Sequence, residues 1–510
     1  MLRIETPMIL AATRTIAGRI ASSINLSRVF EIMCYPKHTM KVSAVSICEK
    51  IIHGSFYALF FITPLLVCPV TYELFEFPKM LFVYVVTAII LATFLIKRIY
   101  TSYDIRNTPL TLPIILYSLF FTLSTLFSIH RYTSVFGYYS RFHGGLLSLI
   151  CYILLFYIYI AEFRQKPKKI LNTLYLILAT SFLVSLYGIL QHFGIDRGYW
   201  IQDSQARVFS TLGQPNWLAA WLLMILPLSW ALYLSSKRLI LNTCYLILAT
   251  VWFAAFWFTY SLSGILGFVV ASVAFVALSP RKLLRRKKKK ILLLITVYCL
   301  LITVFPGLFA PRLRDVWGDL VATSQRLTNF SLLSPAALAA ESLPPIPGGD
   351  TAQIRKIVWQ GALDLWRSSP KNILLGTGPE TFAYAFLAFR PAALNQTSEW
   401  DFLYNKAHNE YLDILCGTGI LGLGAYLFLV GRFLWWGMMK VKSEKLKVKS
   451  YQIDGLDSRL ILDTNYLLLP AVLSGWASLL ITSFFGFSVV PTALLFWLYP
   501  AICFSFLKED

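Results

Sequence analysis

The chain has 510 residues, of which 57% are hydrophobic and only 14% are charged, and its mean hydropathy is +0.64. It nevertheless carries 46 Lys and Arg against 25 Asp and Glu, a formal net charge of +21. A basic soluble protein would suggest a nucleic-acid partner, but such proteins do not devote over half their length to apolar side chains. The composition excludes a disordered chain, a disulfide scaffold and an ordinary cytosolic domain, and it indicates a polytopic membrane protein.

Twelve apolar segments are long enough to cross the ~30 Å hydrocarbon core of a bilayer. They are continuous apolar runs rather than short alternating segments, which favours helices. The predicted spans are 55–71, 78–96, 110–128, 143–161, 170–191, 213–234, 239–260, 263–279, 291–310, 413–437, 464–484 and 488–507. We therefore predict an all-α polytopic membrane protein with about 12 transmembrane helices.

Lys and Arg are concentrated in the linkers that follow the even-numbered spans, above all in the block 281–290. The positive-inside rule places these linkers and both termini in the cytoplasm of a multi-pass cytoplasmic (inner) membrane protein. Nucleic-acid binding by 281–290 is the alternative, but a short hairpin between two spans favours a topology anchor at an anionic leaflet. We therefore predict membrane lipids, and no nucleic acid, as partners.

This topology predicts four regions along the chain. Residues 1–54 form an N-terminal cytoplasmic or interfacial extension of unassigned role, 55–310 carry spans 1–9, 311–412 form one large helical extracytoplasmic loop, and 413–510 carry spans 10–12.

Within the large loop, prolines and a Gly-Gly pair predict a mobile stretch at 331–350 that could act as a lid. An amphipathic helix follows at 351–369 and is expected to end at Pro370. The G-x-G at 376–378 is expected to be a structural turn rather than a nucleotide loop.

The spans are almost free of ionisable residues, whereas ion-coupled transporters keep such groups at membrane depth. This distribution favours chemistry at the outer surface. Arg207 precedes a tight turn, 213–216, at a helix start whose free N–H groups can hold an anion, and its planar fork suits phosphate oxygens. His408 stands at the entry to the tenth span, where a general base and a packing or capping histidine both remain open.

Three motifs occur in a fixed order along the chain. They are Arg207 with Gly213-Gln-Pro-Asn216-x-Leu-Ala; Arg355-x-x-x-Trp359 with Leu375-Gly-Thr-Gly378; and Ala407-His408-Asn409-Glu-Tyr-Leu412 with Gly417-x-Gly419. Through them the chain, over about 55–507, resembles the O-antigen ligase / Wzy polymerase superfamily.

The resemblance implies a GT-C-like helical fold and an inverting glycosyltransferase that uses no metal and no cofactor. Its donor would be a glycan on undecaprenyl pyrophosphate, a lipid-linked oligosaccharide. Arg207 and Arg355 would neutralise the leaving pyrophosphate, and His408 would take the proton from the acceptor hydroxyl. The candidate substrate-binding residues are Asn216, Arg141, Arg390 and Glu410.

Several alternatives stay open at this point. A ligase and a polymerase would share the same site, and the acceptor could be a glycan, a lipid such as the core of lipopolysaccharide, or a protein hydroxyl. Two other functions remain: a bicarbonate-like solute transporter of the same superfamily, and a non-catalytic scaffold for envelope assembly.

Overall fold

The computed structural model describes residues 37–71, 73–101, 107–306, 350–442 and 458–506. Over these ranges the regular secondary structure is helical, without strands. The α-helices are α1 (Lys37–Leu65), α2 (Glu76–Tyr100), α3 (Thr111–Leu126), α4 (Arg131–Phe136), α5 (Leu146–Phe163), α6 (Pro167–His192), α7 (Pro215–Ser235), α8 (Leu239–Phe258), α9 (Leu262–Leu278), α10 (Arg281–Arg286), α11 (Lys288–Val304), α12 (Asp350–Arg367), α13 (Pro370–Leu375), α14 (Phe382–Ala385), α15 (Glu410–Lys442), α16 (Ser458–Phe484) and α17 (Val490–Phe506).

Each of the twelve predicted spans overlaps one of these helices. Among the described residues, eight helices are long and apolar enough to cross a membrane, namely α1 over Ser43–Leu65, α2, α5, α6, α7, α8, α15 and α16 over Leu467–Phe484. Helices α3, α9 and α17 are apolar but shorter. Over the described residues the protein is therefore helical, and it is a multi-pass membrane protein, while the count of twelve spans and their orientation stay predictions.

The first span begins earlier than the sequence predicts. Helix α1 runs from Lys37 to Leu65, so the boundary proposed at residue 54 falls inside it. Polar residues at 49–53 lower the local hydropathy, which is why the predicted span starts at 55. In the fold they have partners: Glu49 accepts a hydrogen bond from Lys97 at 2.9 Å, and His53 lies 3.0 Å from the Lys169 ammonium.

Helix α7 is the centre of the bundle. In its apolar window 94% of the residues are buried, against 33% for α8. The neighbouring helix α16 approaches it at Gly475, where a Cβ would lie 2.2 Å from the backbone oxygen of Met224. A small residue is required for so close a helix contact. The N-terminal end of α7, which carries Asn216, is thereby held in a rigid frame.

The predicted amphipathic helix of the large loop is confirmed as α12. Its Ile354, Val358 and Leu365 side chains are buried in a small separate core with Phe382 and Phe386. The helix ends at Arg367 rather than at the proline.

Pro370 instead begins α13, with the Ser369 hydroxyl accepting from the Asn372 N–H at 3.2 Å. Proline is tolerated there because the N–H it lacks has no helical partner at a helix start. The proposed lid up to residue 349 lies outside the described residues.

Residues 350–409, between α11 and α15, are called the outer unit here. Backbone hydrogen bonds hold this outer unit against the start of α15. The N–H groups of Thr377 and Gly378 donate to the carbonyls of Cys416 and Gly417 at 2.8 and 2.9 Å. Helix α15 breaks at Gly419, which has a φ of 66°. Because glycine has no side chain, α13 can pack against this position, where a Cβ would lie 2.2 Å from the Leu374 backbone. The G-x-G segment is therefore a structural turn, and it fixes the outer unit relative to the bundle.

Candidate functional site

Residues from three distant parts of the chain meet at one small cavity of about 20 Å³. Arg355 comes from α12, His408 from the segment before α15, and Asn216 from the first turn of α7. The rest of the wall comes from the non-helical connection between α16 and α17, at residues 485–487 and 489, and from residues of the flanking helices. These helix residues are Trp217, Ala220, Leu479, Thr482, Ser483 and Thr492.

Arg355 is the cation of this cavity. Burial lowers the pKa of its guanidinium below the ordinary value, and the Glu399 carboxylate opposes that shift. An arginine stays protonated at neutral pH even so. No described residue accepts a hydrogen bond from it. A half-buried guanidinium with its donors unused is suited to an anionic ligand.

The backbone around His408 is held in an uncommon conformation. His408 has a φ of 53°, in the left-handed region that residues other than glycine rarely occupy. The preceding peptide is held on both sides: the Trp359 indole donates to the Ala407 carbonyl at 3.0 Å, and the Asp413 carboxylate accepts from the Ala407 N–H at 2.7 Å. Asn409 then caps α15 through the N–H of Leu412 at 3.1 Å. These contacts fix where the imidazole stands.

The His408 imidazole is neutral at physiological pH. Burial, together with the positive charges of Arg355 and Arg141, lowers its pKa to about 4. Its ring packs against Phe487, with centroids 5.6 Å apart. Within the described part of the chain, no hydrogen bond occupies its ring nitrogens. A neutral imidazole with free nitrogens can accept a proton from a bound hydroxyl.

Arg207 lies behind Asn216 and is not among the residues that line the cavity. Its guanidinium donates to the Asn216 side-chain oxygen at 3.1 Å and to the Thr259 carbonyl at 2.9 Å. The same Asn216 oxygen accepts from the Ser261 hydroxyl at 2.8 Å. Because its oxygen is occupied twice, Asn216 has only its NH₂ group to offer a ligand. The structure thus places Arg207 as the support of Asn216.

Arg141 borders the cavity through two aromatic rings. Its guanidinium carbon lies 5.3 Å from the Trp217 ring and 4.9 Å from the Phe487 ring, and both rings line the cavity. It therefore adds positive charge beside His408.

Arg390 lies elsewhere. Its guanidinium donates to the backbone carbonyls of Glu399, Trp400 and Phe402. These bonds occupy its donors, so the structure gives Arg390 the role of bracing the 399–402 loop.

Glu410 faces a second, larger cavity of about 120 Å³. Its carboxylate accepts from the Ser488 N–H at 2.6 Å, so it does not orient the His408 imidazole. Lys406, Glu380 and Asp413 line the same cavity, and Lys406 forms an ion pair with Glu380.

Of these four residues, the sequence pointed only to Glu410 as a substrate-binding candidate. The only signal was that Lys406, Glu410 and Asp413 share the short segment around His408. Glu380 comes from the other end of the outer unit, and it fits there because Gly144 has no side chain: a Cβ on Gly144 would lie 2.0 Å from its carboxylate oxygen.

Among the described residues, no group of three His, Cys, Asp or Glu side chains could hold a metal ion. The requirement for metal is a matter for experiment, and metal independence stays a prediction.

Residues 245–427 match a family model described as O-antigen ligase, and this segment contains Arg355, His408 and both of their motifs. No curated protein matches the chain. The match agrees with the resemblance carried by the three motifs, and it supports a relation of this segment to the O-antigen ligase / Wzy superfamily of membrane glycosyltransferase-like enzymes.

Proposed function

We propose that the protein is an inverting, metal-independent glycosyltransferase of surface-polysaccharide assembly. It moves a glycan from undecaprenyl pyrophosphate to an acceptor hydroxyl at the outer face of the cytoplasmic membrane. The observation that supports this most strongly is the pairing, in one cavity, of an unbonded guanidinium on Arg355 with a neutral imidazole on His408. The first suits a pyrophosphate leaving group, and the second suits a hydroxyl nucleophile.

The leaving group takes the Arg355 side of the cavity. Negative charge develops on the pyrophosphate oxygen as the bond from the sugar C1 breaks, and a fixed cation stabilises it most in that state. The Asn216 NH₂ group donates to the same phosphates. Arg207 keeps the asparagine oxygen turned away from them, because it bonds that oxygen itself.

The acceptor takes the His408 side. Its hydroxyl oxygen attacks C1 from the face opposite the pyrophosphate, so the configuration at C1 inverts. The hydroxyl proton passes to a ring nitrogen of His408, and the electron pair of the breaking C1–O bond leaves with undecaprenyl pyrophosphate. His408 returns the proton to solvent after the products leave.

The cavity must widen for this reaction. A space of about 20 Å³ is close to the ~10–15 Å³ that one water molecule requires. A pyrophosphate needs more room, and the non-helical connection 485–489 is the wall with the fewest helical constraints. We therefore expect this connection to move when the donor binds.

The placement of charge favours transfer over transport. The charged side chains of both cavities come from the outer segments and from the first turn of α15. A transporter for an ionic solute would need such groups at membrane depth.

The test is genetic complementation. Deletion of the gene should accumulate lipid-linked glycan and abolish one acceptor product, and wild-type protein should restore that product while His408→Ala does not. A general base contributes about 10²–10⁴-fold, so the residual rate of His408→Ala should be low.

The control is His130→Asn at another histidine of the same end of the bundle. His130 caps α4 by accepting from the Thr133 N–H at 3.3 Å, which asparagine also does. This variant should retain activity. Full surface glycan with a normally inserted His408→Ala protein would instead favour a non-catalytic scaffold.

A further inference from the structure

The larger cavity has no part in the mechanism above. We propose that it is a binding subsite for one neutral or amino sugar ring of the donor or acceptor glycan, an inference that rests on the proposed function. It lies between α3, the start of α5, the outer unit, and helices α15 and α17.

Its size and lining suit a single pyranose ring. A volume of about 120 Å³ is somewhat below the ~150 Å³ of an engineered cavity that binds one benzene molecule, so the space admits at most one sugar ring. Aromatic side chains form much of the wall, and sugars pack the apolar C–H faces of their rings against such surfaces. These aromatic residues are Tyr117, Phe121, Tyr152, Phe382, Tyr426, Phe496 and Trp497.

One carboxylate oxygen in the wall lacks a partner. Asp413 uses Oδ1 to hold the Ala407 N–H at 2.7 Å, whereas its buried Oδ2 has no hydrogen bond. Leaving a buried polar atom unsatisfied costs about 1–3 kcal/mol, and more for a charged group. A sugar hydroxyl or ammonium group would supply the missing donor. Glu410 lines the same cavity and uses Oε2 to accept the Ser488 N–H.

Charge selects among sugars. Burial would lower the pKa of Lys406, but the carboxylates of Glu380, Asp413 and Glu410 raise it above the ordinary value, so Lys406 stays charged. Its ion pair is with Glu380, and Asp413 and Glu410 lie within its electrostatic reach, so three carboxylates share one ammonium. This acidic cluster disfavours the carboxylate of a uronic acid, while its oxygens accept hydrogen bonds from hydroxyl and ammonium groups.

The subsite adjoins the reaction centre. The Phe487 ring lies 5.6 Å from the His408 ring on one side and 5.9 Å from the Lys406 ammonium on the other. Phe487 lines the small cavity and its neighbour Ser488 lines the large one. The 487–488 segment therefore borders both cavities, and the movement that admits the donor would join the two spaces.

The experiment measures binding of methyl glycosides to the full chain in lipid nanodiscs by saturation-transfer NMR. The probes are methyl glucoside, methyl glucosaminide and methyl glucuronide. Wild-type protein should bind the first two at least about tenfold more tightly than the third, a difference of about 1.4 kcal/mol.

Two variants act on the cavity. Ala493→Leu fills it, and Glu410→Gln removes a charge yet keeps an oxygen for the Ser488 N–H. Ala425→Leu is the matched control, because Ala425 is as buried as Ala493 at 6% exposure and does not line the cavity. Ala493→Leu should weaken neutral-glycoside binding at least about tenfold relative to this control, and Glu410→Gln should narrow the discrimination against glucuronide.

Separate measurements test the proposed function and the sugar subsite. Binding of undecaprenyl pyrophosphate, measured without any sugar, should be lost in Arg355→Ala and unchanged in Ala493→Leu. Absence of this binding in the wild-type protein would contradict the proposed function. Equal glycoside binding by wild type and Ala493→Leu, or glucuronide binding as tight as glucoside, overturns the subsite. In the transfer assay, a raised acceptor KM for Ala493→Leu identifies an acceptor subsite, and a raised donor KM a donor subsite.

Discussion

The two ends of the helix bundle differ in whether their partly buried cations have partners within the protein. At the end that carries the basic linkers, the Lys97 ammonium donates to Glu49 at 2.9 Å and to Glu162 at 2.7 Å. At the other end Lys406 is paired with Glu380, yet the Arg355 guanidinium has no hydrogen-bond acceptor among the described residues.

This difference separates charges that stabilise the fold from charges that await a ligand. Removing an ion from water costs several kcal/mol unless a partner compensates for it. Lys97 and Glu162 meet that condition within the protein, so they hold α2 and α5 together. Arg355 lacks such a partner, and a bound anion would supply it.

Replacement of Arg355 should give the largest effect among the predictions that follow. Loss of one preorganised charge-stabilising donor costs about 10²–10³-fold in kcat. The kcat of Arg355→Ala should therefore be lower by about this factor in a transfer assay with purified donor. The kcat of Arg355→Lys should lie between those of wild type and Arg355→Ala, because an ammonium keeps the charge but cannot make two parallel hydrogen bonds. The exposed Arg131 serves as control, and an Arg131→Ala loss equal to that of Arg355→Ala would contradict a specific role.

The pH profile should show the depressed pKa of His408. Since its pKa lies near about 4 rather than at the ordinary 6.5, the base stays deprotonated at pH 6 and activity should fall only on approach to pH 4. Removal of a positive neighbour favours the protonated ring. Arg141→Gln should therefore raise the pKa and move this acid limb to higher pH. A limb at pH 6.5 in the wild type would contradict a base held between two arginines.

Replacement of Glu162, at the end with the basic linkers, should lower the stability of the protein and leave its transfer activity unchanged. Glu162→Gln leaves Lys97 with Glu49 alone, so the free energy of unfolding should drop by less than the about 3–5 kcal/mol typical of a broken buried pair. Thermal unfolding in detergent measures this loss. Turnover per folded molecule should stay at the wild-type value, and a large fall in it would erase the distinction between the two ends.

Chelation should have the smallest effect. Because Arg355 supplies the charge that a metal would otherwise provide, treatment with EDTA should leave the transfer rate unchanged within error. A strict requirement for a divalent cation, restored by adding the metal back, would contradict the proposed mechanism.

The helices could be read from the sequence because their cause is local. An apolar run long enough to span a bilayer is helical whatever surrounds it, since its backbone groups must bond within the segment. The prediction was wrong where polar residues are satisfied by distant partners, as at Glu49 in α1. It was also wrong at Pro370, which begins a helix instead of ending one.

The candidate site was predictable in its residues and not in their arrangement. Motif order pointed to Arg355, His408 and Asn216, and these three line one cavity. The same motifs gave Arg207 a direct phosphate contact, whereas it bonds Asn216 and Thr259. Nothing in the sequence indicated that the 485–489 connection would form the wall.

The sequence by itself determined the membrane class, the apolar segments and the chemical types at the site, because hydropathy and side-chain chemistry belong to each residue. Only the tertiary structure decided which charges are paired and which face a cavity. Pairing depends on residues far apart in the chain, such as Lys97 with Glu162 or Lys406 with Glu380.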